Sequence, residues 1–426
     1  MKALTTLFFI FILTQAGAQR ICASTEYQKQ LLAQNPSLQS SFDLAEQQIE
    51  KTIANSKRYS ARDTSSNEII NVPVVIHVIY KSAVQSISNA KILSQLDALN
   101  KDFSNQNADK INTPVVFKNL AADSRIKFCL AQVDPKGKRT SGIIRKQSNL
   151  DVFTADDAMK FSASGGDDAW DSQQYLNIWI CVLSARSLGY ATPPGGPADK
   201  DGVVIAYDVF GTVGALRSPF DKGRTATHEV AHWLGLKHMW GDSDCGDDGV
   251  DDTPRQKTYN FGSPIFPHVT DCSLDANGDM FMNYMDFSDD ASMNMFTIGQ
   301  KKRMRALFAK GNMRNSFLAS FACDSSLAQA APLPIPETAP ATVIDSVDVF
   351  KVYPNPAQNI ATVEYIPAAE FGVKHISIYN MMGINVLNKE INKAKTTINL
   401  SQLAAGVYFI RIGEGKKAYA TKLVKM

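Results

Sequence analysis

The fold of this chain is decided by the run His228-Glu229-Val230-Ala231-His232-Trp233-Leu234-Gly235-Leu236-Lys237-His238, which holds three of its six histidines. Residues at i and i+4 share one face of a helix, so His228 and His232 can hold one metal ion together. Gly235 tolerates positive φ and lets the chain turn sharply, which can bring His238 round as a third ligand. Three imidazoles leave a tetrahedral position open for water, as in catalytic zinc sites. Glu229 is then the candidate general base.

The alternative is that three core or surface histidines stand at this spacing by accident. The glutamate and the glycine argue against it, because both occupy the positions that the metal chemistry demands.

Length and composition place this motif in an exported protein of several domains. The 426 residues suffice for two or three domains, and 44 Lys+Arg against 42 Asp+Glu give a net charge of +2, so nothing calls for nucleic acid. An apolar run at 7–13 followed by Ala16-Gly17-Ala18 predicts a signal peptide over residues 1–18. A membrane anchor is the alternative, but the run is too short to span a bilayer, and no other stretch qualifies as a transmembrane segment.

Residues 19–62 predict a detachable propeptide in front of the catalytic domain. Helical periodicity runs from Tyr27 to Lys51, and the basic, serine-rich stretch 57–62 predicts an exposed cleavable link. Residues 63–323 then show the pattern of an α+β domain, a mixed sheet followed by the motif helix. The predicted elements are strands at 72–80, 127–132, 176–183 and 201–207 and helices at 89–103 and 299–308.

A second domain is predicted beyond a proline- and alanine-rich linker at residues 324–346. Residues 347–426 carry short strand patterns separated by turns, which predict a small all-β sandwich. The predicted strands are 347–353, 361–365, 375–379, 407–412 and 418–424. The segment has no cysteine and one histidine, so we expect an address or binding module and not a catalyst.

The six cysteines are too sparse to build the fold, although export permits disulfides. Cys245 and Cys272 flank one polar loop region after the motif, and we predict a bridge between them. Cys129 and Cys181 lie in apolar strand-like runs and either pair across the sheet or remain buried thiols. Cys323 has no obvious partner.

The loop from Asp242 to Asp252 holds six carboxylates in eleven residues. Such a cluster is either solvated or gathered around a cation, and calcium favours oxygen ligands in flexible loops. A second oxygen-rich stretch at 271–279 is weaker support. The candidate calcium ligands are Asp247, Asp248, Asp251, Asp252 and Thr253.

The wider pattern resembles the pappalysin/cytophagalysin family of secreted metzincin proteases over about residues 63–323. The similarity extends from the zinc motif to Gly249-Val250-Asp251-Asp252-Thr253-Pro254, Asn283-Tyr284-Met285-Asp286-Phe287 and Phe296-Thr297-Ile298-Gly299-Gln300. The resemblance implies a zinc endopeptidase with a metzincin-like fold, calcium near the acidic loop, and Met285 packed as the Met-turn methionine beneath the zinc ligands. It also implies an edge strand above the cleft that pairs with the substrate backbone, for which 201–207 is the candidate.

Two further implications of this resemblance concern single residues. The run Arg20-Ile21-Cys22-Ala23-Ser24-Thr25 resembles the family's cysteine switch, in which a thiolate occupies the open zinc position, although Ala23 stands where glycine is usual. The alternative is an incidental free or disulfide-bonded Cys22.

Relatives commonly carry a tyrosine two positions after the Met-turn methionine as an oxyanion donor, and Phe287 lacks the hydroxyl of that tyrosine. Either a slower enzyme results, or another donor such as Tyr284 serves.

The C-terminal module resembles the type IX secretion sorting domain, through Val352-Tyr353-Pro354-Asn355-Pro356, Gly383 and Gly406-Val407-Tyr408-Phe409-Ile410-Arg411. A carbohydrate-binding or adhesion module is the alternative.

The sequence thus predicts a secreted or surface zinc endopeptidase, exported through the periplasm by type IX machinery as a latent precursor that acts on proteins or peptides. A catalytically silent surface adhesin on the same scaffold is the competing hypothesis, and the intact Glu229 favours the enzyme.

Overall fold

The computed structural model describes residues 22–59, 68–184, 187–273, 276–320, 322–324, 349–366, 374–380, 385–393, 395–412 and 419–426. The chain divides into two compact units after Ala331. The predicted signal peptide, residues 60–62 of the cleavable link, residues 325–346 of the linker and Gly383 lie outside the described residues. Among the described residues, no helix combines the length and apolar character needed to cross a membrane.

The first unit opens with two helices, α1 (Ser24–Gln34) and α2 (Leu38–Tyr59), where the sequence predicted one periodic stretch. The elements that follow are β1 (Ile70–Tyr80), α3 (Asn89–Phe103), α4 (Val115–Lys118), β2 (Ile126–Leu130), β3 (Ile143–Gln147), β4 (Leu176–Cys181), β5 (Gly189–Ala191), β6 (Val203–Ala206), α5 (Arg224–Trp233) and α6 (Ile298–Ala306). Short 3₁₀ helices lie at Ala108–Asn112, Ala158–Lys160, Ser162–Ser164, Ala198–Lys200 and Asn315–Ala319.

The sheet of this unit has the order β2-β1-β4-β6-β5, and β3 pairs with the second half of β1. Every pairing is parallel except that of β5, which runs antiparallel to β6. The prediction that 201–207 forms the edge strand is therefore wrong, because β6 lies inside the sheet and β5 forms its edge. A strand of only three residues that begins with Gly189 leaves no periodic signal in the sequence.

Two apolar layers cover the two faces of this sheet. One face packs against α3 and α5, with Ile178 and Ile205 among the buried strand residues. The opposite face carries Trp179, Tyr190 and Val204, which pack against residues of α1 and α2. Because side chains alternate along a strand, adjacent residues of β4, β5 and β6 contribute to different layers.

The cysteines decide between the alternatives that the sequence left open. Disulfides join Cys129 to Cys323 and Cys245 to Cys272, and Cys181 is a buried thiol. A bridge between Cys129 and Cys181 is ruled out, because β1 lies between the strands β2 and β4 that carry them. The mixed sheet with its motif helix confirms the predicted α+β metzincin-like class for this unit.

The second unit is all-β, as predicted, and has two sheets. The strands are β7 (Val349–Tyr353), β8 (Ile360–Ile366), β9 (Lys374–Asn380), β10 (Asn385–Ile391), β11 (Lys395–Asn399), β12 (Gly406–Ile412) and β13 (Tyr419–Lys425). One sheet has the order β10-β9-β12-β13 and the other β11-β8-β7. The sequence analysis missed β10 and β11, because most of their residues are polar and obscure the alternation.

Candidate active site

The helix α5 and the turn after it bring the three motif histidines together. His228 and His232 lie one turn apart on α5, all of whose residues are buried. Gly235 then takes the left-handed conformation at φ 82°, which a side chain would strain, and the chain doubles back to His238. The spacing in the sequence therefore predicted the right local geometry.

The Nε2 atoms of the three imidazoles converge on one point. His232 Nε2 lies 3.0 Å from both His228 Nε2 and His238 Nε2, and the latter two are 3.3 Å apart. Three nitrogens bound to one tetrahedral zinc ion at about 2 Å would stand about 3.3 Å from one another. The separations therefore fit a shared metal ion.

The opposite nitrogen of each ring fixes its tautomer. His228 Nδ1 lies 2.7 Å from the carbonyl oxygen of Tyr284, and His232 Nδ1 lies 2.9 Å from that of Leu236. A carbonyl oxygen can only accept, so each Nδ1 donates its proton and each Nε2 presents a lone pair. His238 Nδ1 donates to Asp242 at 2.6 Å in the same way. Three facing lone pairs repel one another unless a cation lies between them, and such partners are typical of metal-bound histidines.

The charge state of His232 suits the same role. Burial, followed by the neighbouring His238, lowers the pKa of His232. A neutral imidazole is the form that binds a metal ion.

Glu229 lies beside this cluster and contacts the N-terminal segment. Its Oε2 accepts hydrogen bonds from Ser24 Oγ at 2.9 Å and from Cys22 Sγ at 3.3 Å. A Cβ atom added to Gly189 would stand 3.0 Å from the Glu229 side chain, so this glycine permits the close approach of β5. In the sequence, Ser24 carried no signal beyond its place two residues after Cys22.

Cys22 completes a group of four potential metal ligands with the three histidines. The four ligand atoms lie within 4.8 Å of one another, and this is the one such group among the residues that the structure describes. Burial, and then Glu229, raise the pKa of the Cys22 thiol, so without a cation it stays protonated and donates to Glu229. The segment is held against β5, where Ala23 N–H donates to the Gly189 carbonyl at 3.0 Å.

Met285 is part of the buried core, and Phe287 lies beside the histidines. Met285 is fully buried, and its N–H donates to Asn283 Oδ1 at 3.0 Å. The Phe287 ring stands 4.9 Å from His238 and 5.8 Å from His228. Trp240, which the sequence did not single out, stacks on His238 at 4.5 Å with the planes 4° apart.

Tyr284 is placed differently from Phe287. Its ring packs against Phe296 at 4.7 Å and lies 5.4 Å from the guanidinium carbon of Arg224. Its contact with the histidine cluster is made by its carbonyl oxygen, which His228 reaches.

The acidic loop does not gather its carboxylates around one point. Asp248 is buried and accepts from Thr253 Oγ1 at 2.9 Å, whereas Asp247 pairs with Arg255 at 3.1 Å. Asp252 accepts from the Gly299 N–H at 2.8 Å, in the first turn of α6. Among the described residues of this loop, protein donors contact these acids, and no three of the acids converge as metal ligands would.

Comparisons with protein families identify both units. Residues 162–309 match the peptidase M43 family, described as pregnancy-associated plasma protein-A, and residues 351–426 match the secretion system C-terminal sorting domain. An extracellular metalloprotease of Pyricularia oryzae is 32% identical over 251 residues, which cover 57% of this chain and 76% of that protein. One from Arthroderma benhamiae is 31% identical over 263 residues, which cover 59% and 76%.

Solved structures also show similarity to a metalloprotease. Mature mirolysin of Tannerella forsythia in complex with a cleaved peptide is 46% identical, with a TM-score of 0.60 over 62% of this chain and 100% of that one. A promirolysin mutant from the same organism is 42% identical, with a TM-score of 0.66 over 73% of this chain and 100% of that one. The protein is thus similar to secreted metalloproteases in both sequence and fold, and to one that is made as a precursor.

Proposed function

Since the chain belongs to the M43 family of extracellular metalloproteases, we propose that it is a secreted zinc endopeptidase whose metal ligands are His228, His232 and His238 and whose general base is Glu229. The observation that carries this assignment is the convergence of three Nε2 lone pairs within 3.0 to 3.3 Å. Zinc bound there would act as a Lewis acid and lower the pKa of a water molecule.

The chain's own groups supply the proton transfers. Glu229 accepts the proton of the attacking water and then delivers it to the leaving amine, as a general base and acid. In the precursor Glu229 is buried beneath Cys22 and Ser24, and removal of these two residues would open its carboxylate to the attacking water. Asp242 fixes the ring of His238, and the carbonyl oxygens of Tyr284 and Leu236 fix the other two rings, so the ligands are preorganised.

The substrate backbone binds along β5 in this proposal. This strand is the edge of the sheet, and the Gly189 carbonyl and Ala191 N–H have partners only in the N-terminal segment, Ala23 and Ser24, among the contacts of the described residues. An edge strand presents backbone donors and acceptors to an added strand. Removal of the propeptide therefore frees the groups that a substrate needs.

Latency in this proposal rests on Cys22 and Ser24 together. Cys22 Sγ lies within 4.8 Å of the ligand nitrogens of the three histidines, and Ser24 donates to the proposed general base. The precursor is thereby blocked at the metal, at the base and at the edge strand. Cleavage within the basic, serine-rich stretch 57–62, at the end of α2, would release the propeptide 19–62 from the catalytic domain 63–323.

Export completes the proposal. The sorting domain places the protein outside the cell or at its surface, and we assign its recognition to the type IX machinery after passage through the periplasm. The boundaries that we propose are a signal peptide at 1–18, a linker at 324–346 and the sorting domain at 347–426.

Calcium is a separate part of the proposal, and its support is the buried Asp248. Burial raises the pKa of this carboxyl to about 7, and a bound cation would offset that cost. Asp247, Asp251, Asp252 and Thr253 are the other candidate ligands, and binding would require the loop to rearrange.

The decisive experiment compares chelated, zinc-restored and untreated mature enzyme on casein. We expect a zinc chelator to abolish cleavage and stoichiometric zinc to restore it. Cleavage that survives complete zinc removal would refute the assignment. The site offers no support for the silent adhesin, since the three histidines and the glutamate that the proposed mechanism uses lie together.

A further inference from the structure

The propeptide residue Tyr27 fills a slot on the side of β5 that faces away from Glu229. The Tyr27 side chain is 2% exposed, and its hydroxyl donates to Asp157 Oδ2 at 2.8 Å. Lys160 Nζ lies 3.3 Å from the same hydroxyl and 4.8 Å from the ring centroid. We define the Tyr27 slot as the walls of this site, Asp157, Lys160, Trp179 and Tyr190.

The walls of the Tyr27 slot all lie in the catalytic domain and are joined by contacts that do not involve Tyr27. Asp157 pairs with Lys160 at 2.9 Å and with Lys200 at 3.2 Å, and it accepts from the Tyr190 hydroxyl at 3.1 Å. Lys160 also donates to Thr192 at 3.0 Å. The polar groups that bind Tyr27 are therefore fixed by residues that remain after the propeptide leaves.

The Tyr27 slot lies beside β5, the strand along which the substrate backbone is proposed to bind. Tyr190 is the middle residue of β5, between Gly189, which abuts Glu229, and Ala191. Side chains alternate across a strand, so Tyr190 faces the opposite side. The side chains of a substrate that pairs with β5 alternate as well, and those on the far side lie next to the Tyr27 slot.

The chemistry of the slot selects one kind of side chain. Two aromatic rings and an ammonium group form its walls, with Tyr190 4.6 Å from the Tyr27 ring and Lys160 over both tyrosine rings. These walls accept an aromatic ring, and Asp157 Oδ2 lies where it accepts a hydrogen bond from a hydroxyl on that ring. A site built around a hydroxyl rejects the analogue without one, because its buried polar groups then lose a partner.

From these contacts we propose that the Tyr27 slot, once vacated, is a subsite of the mature protease that takes a tyrosyl side chain of the protein substrate. This inference rests on the proposed function, since it needs the propeptide to leave and the substrate to pair with β5. Tyr27 itself is then a substrate-like side chain that the precursor keeps in the subsite.

The test uses mature enzyme separated from its released propeptide. Peptides of one cleavable sequence carry tyrosine, phenylalanine or alanine in turn at each position around the scissile bond, and kcat/KM is measured for each. We expect tyrosine to exceed phenylalanine by at least about 10-fold at one position, the worth of a hydrogen bond to a charged group. A ratio near one at every position overturns the proposal.

Two matched variants test whether the preference for tyrosine over phenylalanine arises from the Tyr27 slot. Asp157→Asn should bring the tyrosine-to-phenylalanine ratio close to one, whereas Asp156→Asn, an exposed neighbour with the same charge change, should leave it intact. A preference that survives Asp157→Asn, or that Asp156→Asn also removes, overturns the assignment to the Tyr27 slot.

A measurement without any enzyme variant guards against misfolding of Asp157→Asn. A synthetic peptide of residues 22–34 with Cys22→Ser should inhibit the unsubstituted enzyme at least about 10-fold more strongly than the same peptide that also carries Tyr27→Phe. Equal inhibition overturns the proposal. Loss of all chelator-sensitive cleavage would instead refute the proposed function, whereas cleavage with flat ratios refutes the subsite alone.

Discussion

The hydroxyl of Ser24 donates a 2.9 Å hydrogen bond to Glu229 Oε2 and accepts one of 2.9 Å from the Ala191 N–H. One side chain of the propeptide thus forms hydrogen bonds with both the proposed general base and the edge strand. This contact therefore predicts that part of the latency does not depend on the metal site.

Latency should be shared between Cys22 and Ser24. In a precursor made uncleavable between residues 57 and 67, Cys22→Ser alone should raise peptidase activity only partly, because the Ser24 contact remains. Ser24→Ala removes a hydrogen bond to a charged group, worth about 1.5–3 kcal/mol, and should raise activity by about 10-fold or more. The double variant should exceed both.

The control for latency is Ser37→Ala, whose hydroxyl contacts Asn35 in the exposed turn between α1 and α2. Precursor activities are compared with one peptide substrate at equal zinc occupancy. Full activation by Cys22→Ser alone would show that Ser24 contributes nothing to latency.

Glu229 should be required for turnover but not for the metal. Glu229→Ala in the mature enzyme should keep one zinc per chain and lose kcat by several orders of magnitude, because water activation and proton delivery fail together. His232→Ala should lose both the metal and the activity. Zinc stoichiometry and kcat are measured on the same samples, so that loss of metal and loss of turnover can be told apart. Near-normal turnover in Glu229→Ala would exclude the mechanism.

The acidic loop should make stability depend on pH in the absence of calcium. The pKa of Asp248 is raised to about 7 by burial, so its stabilising contribution is complete below about pH 4 and is lost as the pH rises through 7. With a calcium-selective chelator, the Tm should fall between pH 6 and pH 8, and Asp248→Asn should flatten this dependence. Added calcium should restore the Tm at pH 8 if the loop binds it, and an unchanged Tm would remove calcium from the proposal.

Export should depend on the second unit. Deletion of residues 347–426 should leave an active protease that stays in the periplasm of the native host, since the first unit has its own core. Fractionation followed by peptidase assay measures this. Appearance of the truncated enzyme outside the cell at the full-length level would contradict the role of the sorting domain.

The sequence predicted the features that local spacing determines. The helix period set His228 and His232 on one face, and Gly235 predicted the turn to His238. Features that depend on distant pairing gave no such signal. The bond between Cys129 and Cys323 joins residues 194 positions apart, and no pattern in either segment identifies the partner.

The edge strand and the propeptide contacts illustrate the same limit. The apolar run of β6 predicts a strand, and the family resemblance made it the candidate edge, whereas the three residues of β5 are too few to be recognised. Ser24 and Tyr27 look like ordinary helix residues in the sequence. Their roles follow only from the surfaces that they meet, at Glu229 and at Asp157.

The Phe287 ring lies 4.9 Å from the ring of His238. Phenylalanine has no hydroxyl, so this residue cannot donate a hydrogen bond to the oxyanion. A tyrosine there would add a donor for the oxyanion, and one such donor is worth roughly 10²–10³ in kcat when no metal shares the charge. Because zinc already carries part of it, Phe287→Tyr should raise kcat by a smaller factor, of about 10, with little change in KM. Tyr284→Phe is the matched change in the opposite direction. The Tyr284 ring lies against Arg224 and Phe296, and phenylalanine keeps these ring contacts, so this variant should leave both the Tm and kcat nearly unchanged. Steady-state kinetics and thermal unfolding of both variants separate the two roles, and a sharp fall in kcat for Tyr284→Phe with no gain for Phe287→Tyr would move the oxyanion donor to Tyr284.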